Sequence, residues 1–183
     1  VNLLAASLVT APVAQAQDMG AAAAGDENWD NRFGLPGVEG GDVTSVAVTD
    51  NGDIYIAGRF TEAGNVAANQ IARWDGAQFH PLSEGLTGGT VYAIVADGSD
   101  IYAVGNFTSA GFAGVSGIAR WDGTEWSQVG TGAGATDKWG SPGWLRAAAI
   151  YDGKLVIAGQ FEAVDGVPAK NIAAWDGANW SPV

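Results

Sequence analysis

One spacing recurs three times in this chain and constrains its fold more than any other feature. Each copy has a Gly-x-Phe, a Trp-Asp-Gly whose Trp lies fourteen residues beyond that Phe, and another aromatic five residues beyond the Trp. Phe60, Trp74 and Phe79 form the first set, Phe107, Trp121 and Trp126 the second, and Phe161, Trp175 and Trp180 the third. The sets repeat after 47 and then 54 residues, so the unit is kept while the connections vary. A period of this length reads as a β-propeller or a related array of small units, each of which buries its apolar face by stacking on the next.

The second repeat resolves into four strands: 91–96, 101–105, 118–121 and 125–129. The first two are nearly continuous apolar runs, as expected of strands covered on both faces, whereas the last alternates like a strand wet on one side. Asp-Gly pairs separate them at Asp97-Gly98 and Asp122-Gly123, and again at Asp152-Gly153 and Asp176-Gly177 of the third repeat. Such pairs suit two-residue hairpins, whose central residues need positive φ. The expected fold is all-β, a β-propeller-type array of four-stranded antiparallel blades.

The strings IYIAGRFTEAGNVAANQIARWDGAQF, IYAVGNFTSAGFAGVSGIARWDGTEW and LVIAGQFEAVDGVPAKNIAAWDGANW resemble the repeats of bacterial exported β-propellers and of the propeller in fungal cortical cell-polarity marker proteins. The resemblance runs from about Trp29 to Val183 and implies an architectural part of surface proteins, with little said of a ligand. Kelch and galactose-oxidase-like propellers share the architecture, but the copper site of that oxidase needs a cysteine crosslink and two histidines. This chain has no cysteine and a single histidine, His80.

Residues 1–16 read as a probable signal peptide. An apolar stretch from Leu3 to Val13 precedes Ala14-Gln15-Ala16, the A-x-A pattern at which such peptides are cleaved, and it is too short to span a bilayer. Residues 17–28 read as a linker, and 29–183 as the repeat domain, with a partial unit at 29–42 and repeats at about 43–89, 90–143 and 144–183. Three repeats and a fraction fall short of a closed ring of four or more blades. The alternatives are an open arc, a fragment of a longer propeller, or a ring completed by self-association.

Eight basic residues against twenty acidic ones give a net charge of −12, which repels nucleic-acid backbones and anionic membrane surfaces. The lack of cysteine excludes a thiol nucleophile and a Cys-ligated metal. The recurring residues Phe60, Trp74, Asp75, Phe107, Trp121, Asp122, Phe161, Trp175 and Asp176 are expected to be structural, the aromatics as packing and the aspartates as acceptors for turn amides. Arg73 and Arg120 recur in two repeats and become Ala174 in the third.

Residues that break the repeat are the better functional candidates. The longer second interval comes from extra residues around Thr136 to Pro142, which bring Trp139 and Trp144, with Asp137, onto a loop. Exposed tryptophans on a loop suit the recognition of a sugar ring or a partner protein. The turn Asp50-Asn51-Gly52-Asp53 is rich in oxygen ligands, and Asp50, Asn51 and Asp53 are a calcium candidate; no other cofactor is expected. The expected role is a secreted or cell-surface module that binds a protein or glycan without catalysis. The alternatives are a carbohydrate-active enzyme working through carboxylates and a fibre subunit completed by an N-terminal apolar strand.

Overall fold

The computed structural model describes residues 37–183, and these contain strands and turns but no helix. The signal-peptide segment, the linker and most of the partial unit lie outside the described residues. The described chain forms three tandem copies of a seven-strand unit. The first comprises β1 (Val38–Glu39), β2 (Val43–Val48), β3 (Ile54–Gly58), β4 (Glu62–Ala63), β5 (Val66–Ala67), β6 (Ile71–Trp74) and β7 (Phe79–Pro81). The second comprises β8 (Leu86–Thr87), β9 (Val91–Asp97), β10 (Asp100–Gly105), β11 (Ser109–Ala110), β12 (Ala113–Gly114), β13 (Ile118–Trp121) and β14 (Trp126–Gln128). The third comprises β15 (Ala135–Thr136), β16 (Trp144–Tyr151), β17 (Lys154–Gln160), β18 (Ala163–Val164), β19 (Val167–Pro168), β20 (Ile172–Trp175) and β21 (Trp180–Pro182).

In each unit four strands form an antiparallel meander, β2-β3-β6-β7, β9-β10-β13-β14 and β16-β17-β20-β21. These are β-propeller-like blades in an open arrangement. Three further strands per unit, beyond the four expected, form a small sheet in which a lead-in strand pairs with a hairpin projecting between the second and third blade strands: β1-β4-β5, β8-β11-β12 and β15-β18-β19. Strands of two residues carry too little alternation to be read from a sequence. Because β1, β8 and β15 pair inside the unit that comes after them, each unit begins in space at its lead-in strand, earlier than the starts at 43, 90 and 144.

The glycine of Gly-x-Phe is explained by this arrangement. A Cβ on Gly58, Gly105 or Gly159 would lie 2.0, 2.1 or 1.9 Å from the carbonyl oxygen of Asp42, Thr90 or Trp144, where the chain enters the blade, so no larger residue fits. Beyond that close approach the chain is free to pack, and Phe60, Phe107 and Phe161 are buried. The turns correct the hairpin expectation. Asp152-Gly153 is a two-residue turn with φ of 51° and 67°, as the mirror-image turns require. The Trp-Asp-Gly turns are instead four-residue loops, since Trp74 pairs with Phe79, Trp121 with Trp126 and Trp175 with Trp180. The aromatic five residues after each Trp is thus its cross-strand partner, with ring centroids 4.9, 5.4 and 5.4 Å apart and tilted rings.

Blades stack face to face. Ala47, Tyr55, Ala57 and Ile71 of the first pack against Ile94, Ile101, Ala103 and Trp121 of the second. Tyr102, Val104 and Ile118 of the second pack against Leu155, Ile157, Ala173 and Trp180 of the third. The first strand of each blade carries a bulge, which leaves Thr44, Tyr92 and Arg146 outside the ladder. There the first two blades are stitched together: Thr44 Oγ1 donates to the Val91 carbonyl at 2.7 Å, and the Ile94 N–H donates to Ser45 Oγ at 3.0 Å.

Candidate functional site

The inserted loop between β15 and β16 is wound tightly around Asp137. Its Oδ1 accepts the N–H groups of Trp139 at 2.8 Å and Ser141 at 2.9 Å. Its own N–H donates to the Ser141 carbonyl, and its carbonyl accepts from Gly140, which has φ of 81°. A side chain that bonds its own downstream backbone builds a turn without help from the core. Asp137 therefore shapes the loop, and the loop carries Trp139 outward, 77% exposed. Lys138 Nζ sits 4.2 Å from the Trp139 ring centroid, within cation–π range. Beneath lies a cavity of about 280 Å³ lined by Asp137, Lys138, Trp139, Gln160, Glu162 and Asn171.

Trp144 does not line that cavity. It opens β16 at 47% exposure, and the Arg146 guanidinium lies 5.0 Å from its ring centroid and 5.1 Å from that of Tyr92. Trp144, expected on the inserted loop, is thus the first residue of a strand paired with Gln160, and the two tryptophans are the centres of two different cation–aromatic groups. Sequence reasoning missed Lys138, Arg146 and Tyr92. Tyr92 and Arg146 stand one repeat interval apart at the matching bulge position, a signal that becomes a contact once first strands of successive blades are known to adjoin.

At the recurring aspartates the carboxylates bond turn amides. Asp75 Oδ1 accepts from Ala77 and Gln78, Asp122 Oδ1 from Thr124 and Glu125, and Asp176 Oδ1 from Ala178 and Asn179. Hydrogen bonds to the charged form favour it. The Glu125 N–H, then the Thr124 hydroxyl and N–H, lower Asp122 to about 2. Asp75 is lowered by the Gln78 N–H and by His80, whose Nε2 lies 2.6 Å from Oδ2, and Asp176 by the Asn179 and Ala178 N–H groups.

In the oxygen-rich turn, Asn51 Oδ1 accepts from the Thr49 hydroxyl and the Asp53 N–H. Asp53 Oδ2 faces Arg73 Nη1 at 2.9 Å. The second repeat repeats that pair, Asp100 Oδ2 with Arg120 Nη2 at 2.6 Å. These bonds engage Asn51 and Asp53 of the calcium candidate with donors from the chain itself, and no group of three or more His, Cys, Asp or Glu side chains placed to hold a metal occurs among the described residues. Both arginines of the recurring position are thus ion-paired.

The family described as "Domain of unknown function (DUF5122) beta-propeller" matches residues 152–173. That span covers the Asp152-Gly153 turn, β17, the projecting hairpin β18-β19 and the start of β20, the part of the unit where blade and small sheet join. No curated protein matches the chain.

Proposed function

We propose that this chain is a secreted or cell-surface recognition module that binds a glycan through the inserted loop, without catalysis. The observation that carries the reading is the exposure of Trp139 on a loop that Asp137 closes with two side-chain hydrogen bonds. A flat apolar ring beside a cavity of mixed polarity suits a sugar ring, whose C–H face stacks while its hydroxyls meet Gln160, Glu162 and Asn171. Lys138 and Arg146 add a second feature. They place a cationic donor beside Trp139 and beside Trp144, able to meet sugar hydroxyls, while Asp137 and Glu162 supply the cavity with acceptors. The A-x-A pattern at Ala14-Gln15-Ala16 supports export.

A glycan array followed by calorimetric titration tests this. Trp139→Ala is expected to weaken binding roughly thirtyfold, the equivalent of about 2 kcal/mol, with the fold intact by circular dichroism. A folded variant that binds every array hit like the parent would remove the loop from the binding site.

A further inference from the structure

The same cavity occurs at both blade interfaces. Between the first and second blades a cavity of about 370 Å³ is lined by Asp53, Tyr55, Arg73, His80 and Leu82 of one blade and by Trp121 of the next. Between the second and third, one of about 350 Å³ is lined by Asp100, Tyr102, Arg120, Ser127 and Val129 and by Trp175. Position by position the two share Asp, Tyr, Arg and the following blade's Trp, while the residues at the rim differ. Tyr55 lies directly opposite Arg73 in the ladder, and Tyr102 opposite Arg120.

Blade formation does not require this set. In the third blade the matching residues are Lys154, Val156 and Ala174, and Val156 pairs with Ala174 in the same register. A half-buried ion pair is weak support for stability, since desolvation offsets much of its attraction. The Asp53 and Asp100 side chains are nonetheless 13% and 21% exposed and the arginines 35% and 41%, so each pair faces the cavity without being sealed by it. Tyr55 and Tyr102 line the two cavities while being only 4% and 8% exposed, and that burial chiefly raises their hydroxyls.

The chemistry defines the ligand. A carboxylate held against a guanidinium is neutral as a pair, yet presents acceptors and donors side by side. Vicinal hydroxyls answer that pattern, donating to the carboxylate and accepting from the guanidinium, and an indole wall takes the apolar face of a ring. The volumes lie in the range of small-ligand sites. We propose that each blade interface binds one neutral hexopyranose unit, held by Asp53, Tyr55 and Arg73 against Trp121 and by Asp100, Tyr102 and Arg120 against Trp175. These sites are separate from the inserted loop and do not depend on its role.

The test monitors indole N–H resonances of the protein labelled with ¹⁵N-tryptophan during titration with D-glucose, D-galactose and D-mannose, and with D-glucuronate as the charged control. At least one neutral hexose should shift Trp121 and Trp175 saturably, with two equivalents bound per chain by calorimetry. Asp53→Ala with Arg73→Ala, which removes both charges together, should abolish the Trp121 response and keep that of Trp175. Should that pair of changes unfold the chain, Tyr55→Phe serves instead and should weaken the Trp121 response about fivefold, as for loss of one neutral hydrogen bond. If no neutral hexose moves either indole, if glucuronate alone does, or if the Trp121 response survives the folded variants, the pockets are interface scaffold and the proposal falls. Trp139 and Trp144 report separately in the same spectra, so failure of the loop reading is seen apart from failure of this one.

Discussion

The middle blade and the two outer blades have matching residues in matching register, yet they bury them differently. Ile94, covered by the first blade, is 5% exposed, whereas Val46, its counterpart in that first blade, is 58% exposed. Ile118, covered by the third blade, is 2% exposed, and its counterpart Ile172 is 36% exposed. Val48 and Tyr151 extend the same two open faces. Burial in this array is therefore conferred by a stacked neighbour and not by position within the blade. Apolar area removed from water stabilises by about 25 cal/mol per Å², so equivalent residues contribute unequally.

That contrast is open to direct attack. The largest expected effect is at the Trp position: Trp121→Ala should lose about 3–5 kcal/mol as a large-to-small change in a packed core. Trp74→Ala, at the matching place on an uncovered face, should lose less than about 2 kcal/mol. Denaturant melts of both variants make the comparison, and equal losses would break it. Next in size, Ile118→Ala should cost about 2–4 kcal/mol and Ile172→Ala under about 1 kcal/mol; a large loss at Ile172 would mean that its face is covered in solution.

The Trp-Asp-Gly turns supply the opposite case, because their bonds are local and should be indifferent to neighbours. Asp122 is lowered to about 2 by its turn donors, against an unfolded value near 4. A depressed folded value contributes stability above the unfolded pKa and loses it as pH falls through the folded one, so the window lies from about pH 4 down to pH 2. Asp122→Asn should flatten the stability profile in that window, and Asp176→Asn should do the same on the outer blade, since Asp176 is lowered by the equivalent amides. Melts across the window read this. A response confined to the middle blade would show that the turns too depend on stacking. The smallest effect is at the open face itself, where Val46→Ser should leave stability within about 0.5 kcal/mol of the parent.

Much of the blade was legible because its signals are short-range. The Phe-to-Trp interval located three units, and the apolar runs located β9, β10, β13 and β14 to within about two residues. The small sheets escaped because β1, β8 and β15 have two residues each and find their partners more than twenty residues downstream. The Trp-Asp-Gly turn was recognised but its length misjudged, since Asp-Gly suggests a two-residue hairpin, and the Trp–aromatic pairing that sets four residues is a contact across strands. At the candidate loop, the exposed tryptophans could be named from the broken repeat. Their separation into two groups, one over a cavity and one against Tyr92, rests on how β9 and β16 adjoin.

What the amino-acid sequence determined by itself is what a residue settles with its own backbone and near neighbours. That includes strands phased by apolar runs, Asp carboxylates bonding amides two and three residues ahead, and an Asp137 that closes its own loop. Tertiary structure decided everything that needs a second blade or a distant stretch of chain. The glycine of Gly-x-Phe is demanded by a carbonyl some fifteen residues earlier in the chain, and Arg146 meets Tyr92. The Asp–Tyr–Arg sets gain their tryptophan wall from the following unit. Stacking free energy belongs to a pair of faces, so a repeat can encode the face but not whether that face is covered.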